Sequence, residues 1–189
     1  MSKHIAVTSS LMFLWAGVAN AYVVTTTDDA APVHWAAYPV AYRVNADPTA
    51  DVGGTAEAAV IDSSFAAWDD VVEETELFTN DGETESGYDD VMCQHKSLSA
   101  DGTCSDQINT VVWAESEWAE GSGSIGLTYA LFLVSTGEVF EADITMNGQH
   151  HDWATDGTEE AMDVANILTH EIGGRAQELR LSDAPAKLA

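Results

Sequence analysis

Alternation between apolar and polar positions is clearest in the middle of the chain. The segments "INTVVWAE" (Ile108 to Glu115), "SIGLTYALFLV" (Ser124 to Val134) and "GEVFEADITMN" (Gly137 to Asn147) alternate or run apolar between Gly and Ser breaks. Each reads as a strand. In the last, period two sets Val139, Glu141, Asp143 and Thr145 on one face and Phe140, Ala142, Ile144 and Met146 on the other. Upstream, "HWAAYPVAYRVN" (His34 to Asn45) mixes aromatic and β-branched residues and runs into Asn-Ala-Asp-Pro, a first strand with its turn.

Two stretches change to helical spacing. After Gly53-Gly54, the residues Ala58, Ile61, Phe65, Trp68 and Val72 predict an amphipathic helix over one face of the core. Near the end Ala161, Ala165, Leu168 and Ile172 predict a second, mostly buried helix, with Asp156 and Thr158 as candidate N-caps and acids in its first turn. Between them, residues 73–106 are acidic and rich in Gly, Asp and Ser, and read as a long loop region with room for one short strand. The order strand, helix, loop, three strands, helix is an α+β layout.

The first residues change the picture of where this layout works. A short basic start, an apolar run from Ile5 to Val18 and Ala19-Asn20-Ala21 make residues 1–21 a secretory signal cleaved after Ala21. The run is shorter than the roughly 20 residues a membrane span needs. Cleavage removes 21 of 189 residues and leaves 168, which suits one domain. The expected location is therefore secreted, with no membrane contact after cleavage. Cys93 and Cys104, an even and closely spaced pair in an exported chain, read as a disulfide closing a surface loop.

A formal charge of −26 excludes nucleic acid and anionic membranes as partners. The acids are dispersed and form no EF-hand-like loop, so they read as a solvated surface suited to salty surroundings. Calcium binding or attraction of basic substrates is the alternative. Trp35, Trp68, Trp113, Trp118 and Trp153 stand singly in predicted elements and read as packing rather than sugar platforms. Asp143 and Asn147 are open to calcium binding or to turn capping.

The second helix carries "ILTHEIG", with His170 and Glu171 adjacent. A zinc-protease helix sets two His at i and i+4, about 40° apart around the axis, so that both grip one Zn²⁺. The Glu between them holds the metal-bound water. Together with "VHW", Ala66-Ala67-Trp68, "NTVVWAE", "GLTYALF", "GEVFEADITMN" and Trp153, this block makes residues 34–173, about three quarters of the chain, resemble the matrixin family of metzincin zinc endopeptidases in its bacterial secreted form. The resemblance implies a metzincin-like N-terminal subdomain, with a twisted mixed β-sheet and two long helices, and a C-terminal subdomain largely missing.

It also implies zinc, held by three His of His-Glu-x-x-His-x-x-Gly-x-x-His, and a protein or peptide substrate taken by a monomer. His170 matches the first ligand and Glu171 the general base. Gly174, Gln177 and Arg180 stand where the second ligand, the glycine and the third ligand belong. His150 and His151, in the loop before Trp153, are substitute ligands that the family geometry does not use. The strand "SIGLTYALF" resembles the edge along which matrixins bind an extended peptide antiparallel. The family's inhibitory propeptide cysteine has no counterpart.

Residues 22–33 are an N-terminal lead and 174–189 an atypical tail. Three of the six Lys and Arg residues, Arg175, Arg180 and Lys187, fall in the last fifteen positions, against two acids there, Glu178 and Asp183. Charge and motif depart together after Gly173, as a shifted reading frame or a misplaced gene end would make them; a true pseudoenzyme is the competing expectation. The chain as written is expected to be an impaired metalloendopeptidase. A catalytically inert peptide-binding or acidic metal-binding domain is the rival.

Overall fold

The computed structural model describes residues 26–71, 76–96, 105–158 and 160–176. All the strand blocks expected from alternation fall in one six-stranded sheet. The chain runs β1 (His34–Trp35), β2 (Val40–Asn45), α1 (Gly54–Asp69), β3 (Phe78–Thr84), α2 (Tyr88–Lys96), β4 (Thr110–Trp113), β5 (Gly126–Phe132) and β6 (Glu138–Met146). It closes with β7 (Trp153–Ala154), β8 (Met162–Asp163) and α3 (Val164–Ala176). The fold is mixed α and β with a mostly parallel sheet.

Strands β3, β2, β4 and β6 lie side by side and parallel, joined by crossovers such as β2–α1–β3. Parallel neighbours need such connections, because a tight turn cannot reverse the chain twice. Strand β1 pairs with the first residues of β6, and β5 runs antiparallel to β6 along its length. β5 therefore forms one edge of the sheet and β3 the other.

Helices α1 and α3 pack on each other and on the core. Ile61 and Phe65 of α1, Val164, Leu168 and Ile172 of α3, and Ala142, Ile144 and Met146 of β6 are all buried. Trp68 Nε1 donates to the Thr169 carbonyl at 2.9 Å. A Cβ on Gly173 would lie 2.7 Å from Trp68 Cζ2, so the absence of a side chain there sets how closely the helices approach. The tryptophans read as packing do pack: Trp35, Trp113, Trp118 and Trp153 are buried and Trp68 is half-buried.

Four expectations are corrected. The region 73–106 holds a seven-residue strand, β3, and a third helix, α2, with Val91 and Met92 buried. Pairing with β2 draws Asn80, Asp81 and Gly82 into the strand despite their turn chemistry, with Gly82 at φ +92° and a register shift opposite Tyr42 and Val44. α3 begins at Val164, because β8 pairs with β7 and keeps Met162 and Asp163 extended. Asp163 Oδ1 accepts the Asn166 amide at 2.8 Å and caps the helix, whereas Asp156 closes a local turn on Thr158.

On α1, Ala58 is exposed and Glu57 is buried in its place. On β6, Val139 is in the core and Phe140 is exposed, the reverse of simple alternation. Leu131 faces Glu141 and Phe132 faces Val139, so Phe140 is the extra residue of a β-bulge. Beyond it the expected faces hold, with Glu141, Asp143 and Thr145 opposite Ala142, Ile144 and Met146. Residues 1–21, expected to be a signal, together with Val72, Cys104 and the positions from 177 onward, lie outside the described residues.

Candidate functional site

α3 is held by a stripe of Val164, Leu168 and Ile172, each wholly buried, at the i, i+4, i+8 spacing of one helix face. His170 falls off that stripe and is exposed. Glu171 is half-buried and turns toward the edge strand. Thr128 Oγ1 of β5 lies 2.9 Å from both the Glu171 carbonyl oxygen and its Oε2, so one hydroxyl proton is shared between two acceptors of the same residue. Backbone and carboxylate are thereby fixed to β5 together.

Gly126 is what lets β5 come so near. A Cβ at this position would stand 3.3 Å from Glu171 Cγ, 3.3 Å from Met146 Sδ and 3.4 Å from Ile167 Cγ2. The two nearer contacts are tighter than ordinary van der Waals distance, so with a side chain here those neighbours would have to give by a few tenths of an ångström. The site is thus an exposed imidazole beside a half-buried carboxylate, next to β5, which among the described residues is an edge of the sheet.

The donors present do not fit a catalytic zinc. Such a site uses three protein ligands, and α3 offers the His170 imidazole followed one turn later by Gly174, which has no donor. Among the described residues no three His, Cys, Asp or Glu side chains gather as a metal-holding group. Gln177 and Arg180 lie outside the described residues. His150 is exposed and sits 3.2 Å from Asn147 Oδ1 through Nδ1, in a turn capped by the same Asn147 oxygen.

Asp143 and Asn147 serve the chain in the described structure. Asp143 Oδ1 accepts the Thr110 amide at 2.8 Å. Asn147 donates to the Ser124 carbonyl at 2.7 Å and accepts the His150 amide at 3.1 Å. Glu141, with no exposure, accepts from the Ser105 hydroxyl and, at 2.8 Å, from the Gln107 amide. Burial pushes its carboxyl up from the ordinary range, against the pull of those two donors. Cys93 is exposed on α2, and its expected partner Cys104 lies outside the described residues.

Sequence reasoning missed Thr128 as the partner of Glu171. The only signal was a hydroxyl within an otherwise apolar strand, which by itself marks nothing. It also missed Glu57, whose signal was sharper: the residue stands four before Ile61, on the backward continuation of the apolar stripe of α1.

The fold and this site define an α+β domain with a carboxylate-bearing helix packed beside an open sheet edge. Compared with known protein families and with curated proteins, the chain finds no match.

Proposed function

We propose that this chain is an exported endopeptidase domain of the matrixin type, taking an extended protein segment along β5, and that as written it is catalytically impaired. The observation that carries the reading is the placement of His170 and Glu171 on a helix fastened by Thr128 to the edge strand. The strand whose sequence resembles the family's peptide-binding edge stands at the sheet edge, antiparallel to β6. A peptide laid there would complete main-chain hydrogen bonds, a mode that needs no metal.

In a complete site of this family, zinc supplies the Lewis acid and lowers the pKa of its bound water. Here His170 would be one ligand and Glu171 the residue suited to take a proton, while Gly174 and Arg180 occupy the other two ligand positions. The same observations support a second reading, a catalytically inert exported peptide-binding domain, because the open edge is complete and the ligand set is not.

Zinc content by mass spectrometry, with cleavage of casein in the presence and absence of chelator, tests the proposal. The chain as written should carry well under one zinc and show no chelator-sensitive cleavage; stoichiometric zinc with such cleavage would refute the impairment. The triple variant Gly174→His, Gln177→Gly, Arg180→His should gain zinc. A folded triple variant that takes up none would count against the matrixin reading and leave the peptide-binding one.

A further inference from the structure

A second site lies at the other end of α1. Its cavity, of about 390 Å³, opens where β2 and β3 end and α1 begins. This is the carboxyl end of parallel strands, where open α/β sheets place their ligands. The volume falls within the range of roughly 300–1,000 Å³ usual for small-molecule sites. From Glu57 to Trp68, the residue that meets α3, is about 16 Å along the helix at 1.5 Å per residue. Nothing here depends on the peptidase reading.

Glu57 lines this cavity and is 2% exposed. Its Oε2 accepts the Thr49 amide at 2.9 Å, and among the described residues no hydrogen bond reaches Oε1. Burial pushes the carboxyl up to about 7, with Glu115 adding repulsion and the Thr49 amide opposing it. A carboxyl so placed is half charged at neutral pH and has one oxygen to offer.

The rest of the lining selects what could meet it. Val44, Ala46, Pro48 and Ala58 give apolar walls, and Glu83 adds a second acid at the exposed rim. Among the described residues no Lys or Arg lines the cavity to hold an anion. A hard divalent cation takes 6–8 oxygens. The amide oxygens of Asn45 and Asn80 are already engaged by the backbone amides of Asp47 and Gly82, and no metal-holding group of three is found among the described residues. Apolar walls leading to one buried acid suit an alkyl stem that ends in a charged nitrogen.

We propose that this cavity binds a single cationic nitrogen group, a primary ammonium or guanidinium on an alkyl stem, with Glu57 as its counter-ion. The group could come from a free amine or from a Lys or Arg side chain of a peptide.

Calorimetric titration with n-butylammonium, with acetyl-Gly-Lys-Gly-amide, and with n-butanol as the neutral control tests the assignment. Saturable binding of the ammonium or of the peptide, without binding of the alcohol, is expected; whichever binds tighter identifies the source. Glu57→Gln should weaken it at least tenfold and Glu83→Gln less than threefold. Ala58→Leu, which fills the cavity from the exposed side of α1, should abolish it while circular dichroism shows the fold intact. In ¹³C spectra, saturation should move the Glu57 titration down from about 7, with Glu83 at the rim of the cavity and Glu115 outside its lining as the other acids near Glu57. No saturation by either cation, equal binding of the alcohol, or unchanged affinity in folded Glu57→Gln would overturn the proposal.

Discussion

Glu141 on β6 and Glu171 on α3 are both glutamates against the same sheet, yet their surroundings differ in kind. Glu141 is sealed, and the donors that meet it come from Ser105 and Gln107 in the segment leading into β4. Asp143, two residues on, takes the amide of Thr110 at the start of that strand. Glu171 is half-exposed, and its side chain meets one hydroxyl of the edge strand. The buried pair helps fasten the irregular segment that leads into β4, whereas Glu171 is fastened but reachable. A carboxylate kept for chemistry must stay within reach of what it acts on; one kept for folding need not.

The comparison breaks first at Glu141. Replacing it with Ala strands the Gln107 amide and the Ser105 hydroxyl and leaves a void, for an expected loss of about 3–4 kcal/mol. In a domain of this size that lowers Tm by about 6–15 °C. A loss under about 1 kcal/mol by chemical denaturation would show that the 105–110 segment is held by something else.

Next comes the position of α3 itself, which rests on packing rather than on Glu171. Gly173→Ala would place a methyl 2.7 Å from Trp68 Cζ2. Because Trp68 is tied to the Thr169 carbonyl, the ring is not free to swing away. The expected cost is about 2 kcal/mol, read from the same denaturation curves. No loss would mean that the two helices slide past one another easily.

Acidity sharpens the contrast further. Glu57 titrates at about 7 in the fold and near its ordinary value of 4.5 when unfolded, and Glu141 is shifted in the same direction. Between those values the folded chain binds more protons at Glu57 than the unfolded one, so Glu57 contributes stability that is full below about pH 4.5 and lost as pH rises through 7, and Glu141 acts in the same direction. Glu57→Gln should shrink the stability difference between pH 4.5 and 7.5 by about 1–2 kcal/mol. An unchanged slope would show that Glu57 meets solvent.

Much of this arrangement was legible in the chain. Period-two stretches located β2, β4, β5 and β6, and helical spacing located α1 and α3, because those elements bury one face and the pattern records it. What escaped depended on distant partners. Phe78–Thr84 reads as a turn until β2 supplies its hydrogen bonds, and the start of α3 was hidden by a two-residue pairing between β7 and β8. His170 and Glu171 were legible as a pair. Thr128, 43 residues before Glu171, was not, since nothing local ties an edge-strand hydroxyl to a helix.

The smallest expected effect bears most directly on the candidate site. Thr128→Val keeps the branched shape and removes the hydroxyl that meets both acceptors of Glu171. The carboxylate is half-exposed, so water can replace the lost donor, and the expected cost is about 0.5–1 kcal/mol. Glu171→Gln should cost a similar amount, and the double variant about as much as either alone, giving a coupling of about 0.5 kcal/mol in a double-mutant cycle. Should Thr128→Val cost as much as Glu141→Ala, Glu171 would be a folding residue like those on β6, and its place beside the sheet edge would carry no argument for chemistry.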